Sequence, residues 1–200
     1  MRILLVNWND RENPHAGGAE IHLHELFGRI ATWGHEVHLI ASGWPGGGCA
    51  PRAVVDGIQV TRVGGRHSFA LRARGAARRA LRDHRFDVVI EDINKLPLFL
   101  PMLTSLPFVA IVPHLFGTTA FAEASAPLAA VVWAAELPIP WAYRRAAFHA
   151  ISESTRTIWC VAAFRPSGSS SSIPAWIPRR IDPIRQRSAR RAPRSCIWAD

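Results

Sequence analysis

Met1-Arg-Ile-Leu-Leu-Val-Asn-Trp-Asn-Asp10, then Pro14-His-Ala-Gly-Gly-Ala-Glu20 and an amphipathic run to Gly34, decides the fold. Ile3, Leu4, Leu5 and Val6 form a short apolar run without alternation, the pattern of a strand covered on both faces in a parallel sheet. Ile21, Leu23, Leu26, Phe27 and Ile30 then recur at helical spacing, and Gly34 is placed to stop the helix. Strand, glycine turn and helix make the first half of a βαβ unit. Two successive glycines let the backbone approach a ligand closely, and the free N–H groups of a helix start favour a negative group such as a phosphate. A tight turn with no ligand fits these residues equally well, because the stretch is neither G-x-G-x-x-G nor a Walker loop.

Outward from this stretch, strand patterns recur at His35–Ser42, around Val54–Val63, at Phe86–Glu91, at Pro107–Val112 and at Ala147–Ser152. Asp56-Gly57 marks a turn inside the second of these, with Ile58 and Val60 facing one way. Gly43 to Pro51 reads as a plain surface loop, with a mobile part of a substrate site as the alternative. Between Ser68 and His84, Leu71, Ala76, Ala77, Ala80 and Leu81 alternate with Arg72, Arg74, Arg78, Arg79 and Arg82, a helix with an apolar and a basic face. The basic face is either solvated or a patch for anionic lipid or lipid-linked phosphate. Phe121 to Arg145 reads as helical and proline-interrupted. The expected fold class is therefore α/β, a doubly wound parallel sheet with helices on both faces.

Two hundred residues suffice for one such domain, which buries roughly 70% of its unfolded surface. The net charge of +9 is arginine-driven, Lys95 being the only lysine, and no nucleic-acid-binding motif accompanies it, so no nucleic-acid partner is expected. Cys49, Cys160 and Cys196 have neither disulfide-framework nor zinc-ligand spacing, which points to a reducing, cytoplasmic setting with no metal. The apolar start of the chain is too short for a signal-peptide core.

In open parallel sheets ligands bind outside the carboxyl ends of the strands. That rule selects Glu91, Asp92, Asn94 and Lys95 after the fourth strand pattern, with the alternative that they cap the following segment. It also selects His114, in Pro113-His114-Leu-Phe-Gly117.

The phrase from the apolar strand through Asn7-Trp8-Asn9 to Gly17-Gly18-Ala19-Glu20 resembles the acceptor-side domain of retaining glycosyltransferases of family 4. Trp33-Gly34-His35-Glu36-Val37 and Phe148-His-Ala-Ile-Ser-Glu-Ser-Thr155 are similar to further segments of it. The resemblance covers about residues 1–156 and implies the N-terminal Rossmann-like half of a two-domain GT-B enzyme. It further implies transfer of a sugar from a nucleotide-sugar to a saccharide or lipid-linked acceptor, with retention of configuration and no cofactor beyond the donor. Gly17 and Gly18 then bind donor phosphate or acceptor, His114 touches the transferred sugar, and Glu91, Asn94 and Lys95 face the acceptor. Peripheral contact with the inner face of the membrane is a further implication. A non-catalytic acceptor- or phosphate-binding α/β module remains the alternative.

After Arg156 the pattern changes. Residues 157–200 contain no Leu and no His, eight Arg against two Asp, five prolines and the run Ser169–Ser172. A basic, poorly ordered tail is expected there, from truncation or a frame shift, with the donor-side domain missing and the chain inactive alone.

Overall fold

The computed structural model describes residues 1–46, 48–94, 96–112, 134–135 and 137–150. The elements are β1 (Arg2–Val6), α1 (Gly18–Thr32), β2 (Glu36–Ala41), β3 (Arg52–Val55), β4 (Ile58–Arg62), α2 (Phe69–Asp83), β5 (Val88–Asp92), β6 (Phe108–Val112), the short α3 (Ile139–Ala142) and β7 (Ala147–Ala150). They build one sheet of seven strands in the order β3-β4-β2-β1-β5-β6-β7.

Successive side chains of β1 point to opposite faces, and each face has its own core. Ile3 and Leu5 join Leu23 and Phe27 of α1 on one side. Leu4 and Val6 join Phe69, Ala73, Ala76 and Ala77 of α2 on the other. This two-sided burial is why the strands read as unbroken apolar runs, and Leu4, Leu5 and Val6 are wholly inaccessible.

The structure departs from the sequence reading in three places. The sheet is parallel except at its edge, where β3 pairs antiparallel with β4. The reason lies in the turn: Asp56 (φ 53°) and Gly57 (φ 78°) both take the left-handed region, as a two-residue hairpin turn of the primed kind requires. In α1, Ile21 and Leu26 are exposed, and the buried stripe runs instead through Glu20, Leu23, His24, Phe27 and Gly28. In α2, Leu71 is exposed, because Phe69 sets the phase and the following buried positions are Ala73, Ala76 and Ala77. The expected strand extension to Ser152, the Ser152–Thr155 segment, most of 121–145 and the tail 157–200 lie outside the described residues.

Candidate functional site

All parallel strands deliver their carboxyl ends to one edge, and polar side chains are buried there. Asn7, Asn9, Asp10, Asn13, Glu20, Ser42, Arg62, Glu91 and Asp92 are each less than a tenth exposed. A buried polar group costs stability unless it is hydrogen-bonded, so this edge is built for more than packing.

Glu20 is its hub. One carboxylate oxygen accepts the Gly17 N–H at 2.7 Å. The other accepts the amides of Asn9 and Asn94, each at 3.1 Å. Asn94 also donates to the Asn7 side-chain oxygen at 2.8 Å, and Asn7 donates to the Asn9 carbonyl at 2.9 Å. Ser42 closes the web with a bond to the Asn9 side-chain oxygen at 3.2 Å. The loops after β1 and β5 are thus tied to the start of α1.

This web alters how the glycine pair works. The Gly17 N–H is held by the chain's own carboxylate rather than left for a ligand. The first bond back into α1 is from Ile21 N–H to the Gly17 carbonyl, so the Gly18 and Ala19 N–H groups lie ahead of the helical ladder. Gly18 is exposed, with no atom within 4 Å of where a Cβ would stand.

The last residues of β5 divide by strand alternation. Glu91 points to the α2 side, wholly buried, where its oxygens accept the Leu98 N–H (2.6 Å), the Leu100 N–H (3.2 Å) and the Tyr143 hydroxyl (2.7 Å). It therefore faces the core rather than an acceptor, against the sequence expectation. Burial pushes its carboxyl up to about 7, opposed by the Tyr143 hydroxyl and the two N–H groups. The Tyr143 oxygen in turn accepts the N–H of Phe99, which sits in the left-handed region at φ 55°. Asp92 points the other way, 6% exposed; burial, then the charges of Glu20 and Glu91, push its carboxyl up to about 8. Among the described residues, one oxygen of Asp92 and the side-chain oxygen of Asn94 have no hydrogen-bond partner. Both atoms are themselves buried. Lys95 and His114 lie outside the described residues.

Of the other half of the edge, sequence reasoning weighed only the Gly43–Pro51 loop. The loops after β1, β2 and β4 enclose a cleft of about 510 Å³ lined by Asn9, Asn13, His15, Trp44, Arg66 and His67 among others. Its floor needs glycine: a Cβ on Gly43 would stand 2.9 Å from the Gly64 carbonyl oxygen, and Gly64 has φ 66°. Its wall is braced by Arg62, which binds both oxygens of buried Asp10 (2.7 and 3.0 Å), Glu12 (2.7 Å) and the Ala50 carbonyl (3.0 Å). The Arg62 guanidinium also lies 4.5 Å from the Trp44 ring centroid, covering one face of the indole. These bonds raise the Arg62 pKa further, so it stays charged throughout. The carboxyl-end rule, applied to β2 and β4 as it was to β5, points to this cleft. The Gly17-x-x-Glu20 spacing of a capping box points to the Glu20 hub, although glycine in place of Ser or Thr hides it.

No group of three or more His, Cys, Asp or Glu suited to a metal occurs among the described residues, and no helix among them is long and apolar enough to cross a membrane. Comparison with known proteins supplies the context. The family model of Glycosyltransferase Family 4 matches residues 16–174, more than half of the chain. No curated protein matches the chain. Among solved structures, the sucrose-phosphate synthase of Thermosynechococcus elongatus superposes with a TM-score of 0.51 at 12% identity. The match covers 75% of this chain and 47% of that one, so the chain spans about half the length of that relative. It shows the fold, a Rossmann-like α/β half of a GT-B architecture.

Proposed function

We propose, for a chain that belongs to glycosyltransferase family 4, that it is the acceptor-side half of a retaining glycosyltransferase using a nucleotide-sugar donor and a saccharide or lipid-linked acceptor. The observation that carries the reading is the open start of α1 at Gly18, set beside the unpartnered oxygens of Asp92 and Asn94 at the carboxyl edge of the sheet. Gly18 offers a backbone N–H where a phosphate or an acceptor oxygen approaches, and the helix start favours the negative charge. Gly17 gives its N–H to Glu20 and so fixes the turn. Asp92, held as the neutral acid by burial, and Asn94 receive acceptor hydroxyls. Glu91 works from beneath, holding the Leu98–Leu100 backbone and Tyr143 in place. Lys95 adds a positive charge beside the acceptor, and His114 contacts the transferred sugar.

Transfer with retention requires the departing nucleoside diphosphate to be held and its charge neutralised as it forms. That work belongs to a donor-side domain, so the isolated chain does not turn over. The test is to mix the chain with a donor-side domain of the same family, a nucleotide-sugar and a panel of saccharide and lipid-linked acceptors, and to follow the product's anomeric proton by NMR. Transfer with retained configuration, abolished by Gly18→Val, is expected. Inverted product, or transfer by the chain alone, contradicts the proposal.

A further inference from the structure

The turn at Leu98–Leu100 follows closely after Asn94 in the chain and is held by side chains from three elements. Glu91 of β5 takes the Leu98 and Leu100 N–H groups, Arg74 of α2 donates to the Leu98 carbonyl at 2.6 Å, and the oxygen of Tyr143, at the end of α3, takes the Phe99 N–H at 2.8 Å. Phe99 sits at the centre in the left-handed region, which a phenylalanine leaves unless its surroundings hold it there. Every partner of the Glu91 carboxylate among the described residues is a donor: two backbone N–H groups and the Tyr143 hydroxyl. The arrangement is therefore complete only for the anion. A proton on Glu91 adds a hydrogen where hydrogens already converge. The acceptor within its reach, the Tyr143 oxygen, already takes the Phe99 N–H and has its own hydrogen turned toward Glu91, so one of these bonds must open. Burial favours the acid and lifts its titration to about 7, while the hydroxyl, the two N–H groups and the charge of Arg74 favour the anion. Asp92, next on β5, is turned to the opposite face, and β1 and β6 bring only Leu4, Val6, Phe108, Ala110 and Val112 to the Glu91 side.

We propose that Glu91 is a positioning residue that works only as the anion: charged, it locks the Leu98–Leu100 turn and with it the seating of the Asn94 side chain on Asn7 and Glu20, and a proton unlocks both. Asn94 is the link, because its amide reaches the Asn7 and Glu20 oxygens at 2.8 and 3.1 Å while the chain beyond it continues to the turn. Ile93 is fixed to the sheet by its N–H on the Ile111 carbonyl at 2.8 Å, so slack released at Leu98 runs back as far as Asn94. The lock makes the carboxyl edge of the sheet sensitive to acidity. It rests on the acceptor-side reading only for what that edge binds.

The test is NMR of the full chain labelled with nitrogen-15, titrated from about pH 8.5 to about pH 5.5. The backbone amides of Leu98 and Leu100 and the side-chain amide of Asn94 are expected to shift together with one midpoint at about 7. Their protection from hydrogen exchange, corrected for the intrinsic rate, is expected to fall at least about tenfold on the acid side. Asp92→Asn should keep the transition. Glu91→Gln preserves the shape without the charge, and its signals should match the acid form of the wild type at every pH. Tyr143→Phe removes one donor to the anion, so the midpoint should move up; this variant decides the matter where Glu91→Gln does not fold. The proposal is overturned by Leu98 and Leu100 amides that do not change with pH, by a transition that leaves Asn94 unmoved, by one that survives Glu91→Gln or vanishes in Asp92→Asn, or by a midpoint unmoved or lowered in Tyr143→Phe. The acceptor-side reading is judged apart from this. An acceptor bound by the chain should weaken on acidification through the same midpoint. If no acceptor binds at about pH 8, that reading falls and the lock stands on its amide signals; if an acceptor binds equally at both ends of the titration while the amides shift, the hold of Glu91 on the edge is overturned.

Discussion

Replacing Arg62 by methionine removes the brace on which the cleft wall depends. Arg62 is itself buried, and it supplies both bonds to Asp10, whose side chain is fully inaccessible, together with bonds to Glu12 and the Ala50 carbonyl. The methionine leaves Asp10 with a bond from the Glu12 N–H at 2.9 Å and no countercharge. Breaking one partner of a buried pair costs about 3–5 kcal/mol, because an uncompensated charge is left behind. Against a total stability of about 5–15 kcal/mol, that is a large fraction. Urea unfolding followed by circular dichroism measures it, with a midpoint shift at unchanged slope marking a true stability change. The double variant Arg62→Met/Asp10→Asn removes both charges, so its cost is expected to fall well below the sum of the two single costs. The penalty is also expected to persist in 1 M salt, since a buried pair is poorly screened. A cost below about 1 kcal/mol for Arg62→Met, or additive single costs, refutes the reasoning from a buried, mutually dependent pair.

Three other perturbations have outcomes set by the same structure. Asp92 holds its proton up to about pH 8 when folded and loses it near its ordinary value of 3.8 when unfolded, so its contribution to stability declines as pH rises between those values. Asp92→Asn should therefore gain on wild type between pH 5 and pH 8, by up to about 4 kcal/mol at 1.36 kcal/mol per pH unit, and an unchanged difference in urea unfolding at the two pH values contradicts this. Tyr143→Phe takes a donor from Glu91 and an acceptor from the Phe99 N–H, costing about 2–3 kcal/mol. Because Glu91 titrates near 7, the loss should be larger at pH 8 than at pH 6, where the carboxyl carries its own proton; equal losses in thermal melts at the two pH values contradict it. His24 is buried with one ring nitrogen 3.2 Å from Asp56 and the other accepting the Arg11 N–H at 3.2 Å, a pairing that suits the neutral ring protonated on Nδ1. Burial lowers its pKa, so its contribution to stability is present above the unfolded value of 6.5 and is lost as pH falls below it through the folded one. Nitrogen-15 NMR of the imidazoles should find His24 as the Nδ1–H tautomer at pH 6.5, and a ring protonated on both nitrogens there is the contrary result.

The parts of the fold legible in the sequence are those governed by local pattern. Leu4, Leu5 and Val6 announce a strand buried on both faces, and Asp56-Gly57 announces its turn. What escaped depends on phase and on distance along the chain. Leu71 is apolar, yet it lies on the far side of a helix whose phase is set by Phe69 two residues earlier, and arginine-rich spacing alone does not fix that phase. Glu91 and Asp92 are adjacent acids that read alike, but strand alternation sends one to Tyr143, 52 residues away, and the other toward Glu20. Arg62 and Asp10 are likewise 52 residues apart, and no local pattern marks two charges that meet inside the protein. The edge where buried polar side chains gather was readable from the carboxyl ends of the strands, but the pairing of those side chains was not.

The central claim, that this chain is an acceptor-side half, is tested most directly by ligand-detected NMR of the purified chain with a panel of nucleotide-sugars, phosphorylated and neutral saccharides and a polyprenyl-phosphate sugar. Gly18→Val and His114→Ala serve as controls; a Cβ on Gly18 would meet no atom outside its own helix start. The account predicts binding of an acceptor without binding of a nucleotide-sugar, with the acceptor signal lost in both variants. Tight nucleotide-sugar binding by the chain alone, or acceptor binding indifferent to Gly18→Val, contradicts it.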